Sequence, residues 1–168
     1  MMSGCAGGSD AQSVTPKQVE ETTTTSTVDE ASVAIDPTQI DHVDQVMNVT
    51  VGCLGADGNP QATLRAWQNM RYVWLNNGTE PLAVADALVK TKENGGWTTT
   101  VPGNEITGEA TGSARTMTRV PAGDSNDAPG LSISTGSNTA VPPVISLSST
   151  STCFEGGALL PNVCTVPI

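Results

Sequence analysis

A chain of 168 residues has room for one domain and a tail, and its net charge of −10, with only seven Lys and Arg, excludes nucleic-acid binding, which needs a cationic footprint to displace phosphate counterions. A polybasic attachment to a membrane surface is excluded for the same reason. Charged residues make up 14% and aromatic residues 3%, so Thr, Ser, Gly and Asn fill the polar positions and the core must come from Val, Ile, Leu and Ala, a balance that suits a β-rich extracytoplasmic domain.

The chain opens Met1-Met2-Ser3-Gly4-Cys5, and Ser-Gly-Cys after an apolar residue is similar to the end of a bacterial lipobox. There Cys5 would carry the lipid and act as the anchor. Only Met1 and Met2 precede Ser3, so two readings stand: a start at an internal Met of a longer precursor, or an ordinary cysteine in a cytosolic N-terminus. No apolar run reaches transmembrane length. Residues 6–30 are small and polar, with threonines at Thr22, Thr23, Thr24, Thr25 and Thr27, and show no hydrophobic period. Such a segment predicts a disordered tether, whose flexible-chain reach is roughly 25–30 Å.

A single β-rich domain is expected over 31–168. Residues 32–36 read as a short strand ended by Pro37, and 47–53 alternate, with Met47, Val49, Val51 and Cys53 on one face. The turn signal at 56–60 predicts a hairpin into a second strand over 61–68. Residues 71–75 are the most β-prone run, closed by Asn76-Asn77-Gly78. Residues 82–92 read either as a short helix behind Pro81 or as a strand over 87–91. Further strands are expected at 97–101, 105–110, 116–120, 131–135 and 144–152, with an exposed loop at 121–130. Several short strands between Gly, Pro and Asn turns predict a mainly β fold, an antiparallel sandwich or barrel-like domain. There is no internal repeat.

Three stretches together resemble the mycobacterial small lipoprotein antigen family (LpqH type). They are Cys5 with its Thr-rich tether, the run from 32–36 into 48–53 (NVTVGC), and 105–112 (EITGEATG), followed by a cysteine near the C-terminus. The chain departs from that pattern in having both Cys153 and Cys164, and in the segments 65–97 and 121–130. The resemblance implies an acylated envelope antigen, glycosylated on tether threonines (Thr22, Thr23, Thr24 and Thr25 here), with a membrane, a host lipid-sensing receptor or another envelope component as partner. It supplies no catalytic residue and no cofactor. It also implies a bridge from Cys53 to a C-terminal cysteine, closing a loop of about 100 residues worth roughly 4–5 kcal/mol in chain entropy. Read from the residues alone, Cys153–Cys164 is a local rival, and three reduced thiols in a cytosolic protein stay open.

Motifs for chemistry are sparse. His42, the sole histidine, lies between Asp41 and Asp44 and reads as a surface residue. Asp124, Asn126 and Asp127 lack the closing Glu of a calcium loop, and no cysteine pair has zinc spacing, so no metal site is assigned. Glu105 and Glu109 share a strand face at best, short of a glycosidase pair. Asn48 and Asn77 head sequons that matter only in a eukaryotic secretory pathway. Trp67, Tyr72, Trp74 and Trp97 read as core, with a groove for an apolar ligand as the alternative. The leading expectation is a non-catalytic, lipid-anchored extracytoplasmic protein with a binding or display role. A glycolipid or acyl-chain carrier, a viral decoration protein and a secreted enzyme follow in that order. The oligomeric state is not legible in the sequence.

Overall fold

The computed structural model describes residues 16–54, 59–101, 114–119, 129–136 and 142–156. The fold is mainly β. One antiparallel sheet is built from β1 (Ile40–Leu54), β2 (Pro60–Leu75), β3 (Trp97–Val101), β4 (Ala114–Arg119), β5 (Gly130–Thr135), β6 (Val144–Thr150) and β7 (Phe154–Glu155). Its order is β1-β2-β6-β5-β4-β3, with β7 pairing β2 beyond the end of β6. Among the described residues two α-helices, α1 (Pro16–Val33) and α2 (Pro81–Asn94), complete it. The described strands form an open sheet rather than a closed barrel, and among the described residues the second layer is helical rather than a second sheet.

The register explains where the core sits. Val73 pairs with Ile145, Leu147 with Ile133 and Leu131 with Met117, so these side chains share one face. On it Val28 and Ala31 of α1 and Val84, Ala85, Leu88 and Val89 of α2 close a single hydrophobic cluster. Four serines of β5 and β6 alternate onto the other face, where Ser132, Ser134, Ser146 and Ser148 are only half-buried, while Ser149, opposite Asn69 and Leu131, is buried on the core face. The strict period of two in both strands follows from a sheet with one dry side.

The tether reading fails from Pro16 onward. α1 begins at Pro16, and 32–36 end the helix and lead into a short 3-10 turn (Pro37–Gln39) instead of forming a strand. Threonine is a poor helix former, and no apolar stripe announces this helix. Tertiary contacts hold it: Thr24, Thr27, Val28, Ala31 and Ser32 are buried against β2 and β6. The hydroxyls of Thr23, Thr24 and Thr27 donate to the carbonyls of Val19, Glu20 and Thr23 at 2.8, 2.7 and 2.9 Å, so the threonine methyls are buried without stranding a polar atom.

The strands expected separately at 61–68 and 71–75 are one continuous strand, and Asn69, fully buried between them, lies on the helix-covered face. Residues 82–92 resolve as helix, entered at Pro81. The expected strands at 97–101, 131–135 and 144–152 correspond to β3, β5 and β6, and that at 116–120 to β4. The strand at 105–110 and most of the 121–130 loop lie outside the described residues.

Cys53 is bonded to Cys153, a sequence separation of 100 residues. Cys53 sits near the end of β1 on one side of β2, and Cys153 links β6 to β7 on the other. The bridge therefore clasps β2 near Ala66, which is buried.

Candidate functional site

The polar residues of α1 fall into two sets, and their separation creates the site. One set docks the helix. Asn69 Nδ2 donates to Thr25 Oγ1 at 3.3 Å and to Asn48 Oδ1 at 3.1 Å, and the Trp67 indole donates to Asn48 Oδ1 at 2.7 Å. Gln45 Nε2 reaches Asn69 Oδ1, and Arg71 binds both Gln45 and the Asp29 carboxylate. These contacts fix α1 alongside β2.

The second set is left facing a groove. Thr22, Thr23, Ser26, Thr27 and Glu30 of α1 oppose Trp97, Arg119 and Pro129 across a cavity of about 300 Å³. Trp97 and Arg119 are register partners at the start of β3 and the end of β4, so the hairpin pairing itself places the indole beside the guanidinium. Lys92, in the last turn of α2, extends its Nζ over the Trp97 ring at 5.6 Å from the centroid and lies 3.9 Å from Glu30 Oε2. The Lys92 side chain is buried, and burial lowers its pKa from the ordinary value of 10.5; Glu30 opposes that shift and Arg119 adds to it.

The charges here are Lys92, Arg119 and Glu30, a net cation in a chain of net charge −10. Lys92 is engaged by Glu30 and Trp97. Arg119 has no hydrogen bond or ion pair to a described residue, and the Thr22 and Ser26 hydroxyls, one turn apart and exposed, likewise donate to none. A guanidinium fork, two adjacent hydroxyls and an indole wall make a place for a small anionic ligand. The sequence singles out Trp97 as an aromatic and Thr22 only as a tether threonine; Ser26, Lys92 and Arg119 come from three elements distant in sequence and leave no local signal.

The residues named from sequence distribute as follows. Cys53 and Cys153 are joined, and Cys5 and Cys164 lie outside the described residues. Of the threonines, Thr22 is exposed, Thr23 and Thr25 are half-buried, and Thr24 is fully buried with its hydroxyl bonded to its own helix. Thr24 therefore cannot carry a glycan in this conformation. His42 is exposed on the open face of the sheet, bound to Asp41 at 2.6 Å and stacked on Trp74 at 5.8 Å. Trp67 and Trp97 are buried, whereas Tyr72 and Trp74 belong to that open face, so the core reading holds for two of the four aromatics. Among the described residues no group of three or more His, Cys, Asp or Glu is placed to hold a metal ion. Residues 105, 109, 124, 126 and 127 lie outside the described residues. No helix among the described residues is long and apolar enough to cross a membrane. Comparison with protein-family models, with curated proteins and with solved structures found no match to this chain.

Proposed function

We propose that this chain is an extracytoplasmic envelope protein, attached to a membrane through a lipid on Cys5, that binds a small anionic ligand in the α1–Trp97 groove and catalyses no reaction. The observation that carries the address is the Cys53–Cys153 bond, because disulfides persist in oxidising compartments. The lipobox-like Ser3-Gly4-Cys5 and the resemblance to the mycobacterial lipoprotein antigens support the same side of the membrane. The groove, at about 300 Å³, lies at the small end of ligand sites and suits a compact ligand better than a glycolipid or an acyl chain. If tether threonines carry sugar, Thr22 is the accessible acceptor.

Two measurements test the reading. Intact mass of the protein purified from its native membrane should show a diacylglyceryl adduct on Cys5, and Cys5→Ser should move the protein out of the membrane fraction. An unmodified Cys5 together with reduced Cys53 and Cys153 would overturn the address. For the groove, a thermal-shift screen of small carboxylates and phosphates should raise the melting temperature of the wild type and not of Arg119→Gln.

A further inference from the structure

The groove leaves the long edge of the sheet unused. Among the described strands β1 lies at one edge, 15 residues long, and almost every residue in it is exposed or half-buried. Edge strands of natural sheets are normally blunted by Lys, Pro or inward charges, because their free N–H and C=O groups template further pairing. β1 holds no Lys, Arg or Pro. Its register against β2 shifts at 45/47 and again at 52/54, but between these it pairs without interruption from Met47 opposite Met70 to Gly52 opposite Arg65. That stretch is a regular ladder, open among the described residues apart from the Met47 carbonyl, which accepts from Gln45 Nε2 at 2.6 Å.

Its two sides differ in chemistry. Met47, Val49 and Val51 present apolar side chains on the open face, and Val49 is 44% exposed. On the helix side, Asn48 forms the floor of a shallow groove of about 400 Å³, whose other wall is α1 with Glu21, Thr25 and Asp29. Asp29 is already paired with Arg71, so Glu21 is the carboxylate of this groove without an ion pair among the described residues. A strand laid beside β1 would put alternate side chains against the valines and the rest into this groove, toward Glu21.

We propose that the 47–52 edge of β1 takes an extended segment of a partner protein as an added strand. The segment carries Lys or Arg on the side facing α1 and apolar residues on the side facing Val49 and Val51. Main-chain hydrogen bonds supply the affinity and the alternating side chains the specificity, as in strand addition generally. Charge complementarity selects the partner. A second copy of this chain would bring a net charge of −10 against another, and a twofold β1–β1 pairing would bring the two Glu21-bearing grooves together.

The test uses the full chain and a fluorescent peptide of roughly ten residues alternating Lys and Val. Anisotropy titration should show saturable binding that weakens with salt. Replacing every Lys by Glu should abolish it, and Glu21→Lys, an α1 position at the rim of the acidic groove, should weaken it about tenfold. Two further peptides, N-methylated on alternate residues, separate strand addition from adsorption, since successive N–H groups point to opposite edges. One should bind at least about tenfold more weakly and the other should bind as before. Equal affinity of the two N-methylated peptides overturns the proposal, whether both bind or neither does. So does a protein that sediments as a dimer and releases monomer only on Val49→Lys, which would make a second copy the occupant.

Discussion

Removing the Cys53–Cys153 bridge should cost this fold about 4–5 kcal/mol without altering its native contacts. The variant is Cys53→Ala with Cys153→Ala, made in a background of Cys5→Ser and Cys164→Ser so that no remaining thiol can re-pair. The bond closes a separation of 100 residues, and chain-entropy arithmetic for a loop of that size gives about 4.7 kcal/mol. Against the roughly 5–15 kcal/mol that holds a typical domain together, this is a third of the total or more. The loss arises in the unfolded chain, which regains the freedom to separate the β1 end from the β6–β7 link. The near-ultraviolet circular dichroism of the buried Trp67 and Trp97 should therefore be unchanged. Urea melts should show a midpoint shifted down and a steeper denaturant slope, because the reduced unfolded chain is more expanded. At about 2–4 °C per kcal/mol for a chain of this size, the melting temperature should fall by about 10–20 °C. A stability loss below about 1 kcal/mol, or loss of the native aromatic signal, would refute the reasoning.

Two other substitutions probe the layer above the sheet. Asn69→Leu removes the buried amide that receives Gln45 and donates to Thr25 and Asn48, and should cost about 1–3 kcal/mol, with amide exchange rising in α1 more than in β5 or β6; uniform exchange would show that Asn69 does not dock the helix. Lys92 is held below its ordinary pKa of 10.5, mainly by burial, so the unfolded chain binds the extra proton and wild-type stability should rise as pH climbs toward and through 10.5. Lys92→Met leaves only the half-exposed Glu30 unpaired and should lose that alkaline rise at no cost in stability at neutral pH, as paired melts at pH 7 and pH 10.5 would show.

Much of the sheet was legible because its chemistry is local. β5 and β6 announce themselves by strict alternation against serine, and the Asn76-Asn77-Gly78 turn places Gly78 at φ 87°, a conformation glycine adopts without strain. Pro81 made a helix one of two open readings of 82–92, and the structure takes it. What stayed hidden is what tertiary structure decides. The helix α1 has neither propensity nor an apolar stripe; threonine methyls packed on β2 and β6, with hydroxyls returned to the helix, replace both. The polar break at Asn69 split one strand into two on paper because no local rule foresees a buried amide network under a helix. The groove suffers the same fate: Glu30, Lys92 and Arg119 meet only because α1, α2 and the β3–β4 hairpin do.

The position of α1 also changes the geometry expected of a lipid-anchored chain. With the helix beginning at Pro16, ten residues separate it from Cys5, and a chain of that length obeying the flexible-chain rule would reach about 16–19 Å in place of the roughly 25–30 Å expected for 6–30. α1 starts near Thr50, Arg65 and Phe154, with Lys17 over the Trp67 ring, and then runs beside β2 so that Asp29 meets Arg71. A lipid on Cys5 would therefore hold the β7 end of the sheet toward the membrane and the 76–78 turn away from it. Between the Leu64 rung, where Glu155 pairs, and Leu75 the strand rises about 36 Å. Exposed positions at the two ends report the difference. In lipidated protein carrying Cys164→Ser, a dye on Glu155→Cys should transfer energy strongly to a headgroup-labelled lipid, and the same dye on Asn77→Cys weakly. Equal transfer from both would mean that the domain tumbles freely on its anchor or is held some other way up, and the short linker would lose its significance. The predicted order would also leave the outer part of the α1–Trp97 groove and the β1 edge accessible from the side, where a soluble ligand and a second protein can reach them while the lipid stays in place.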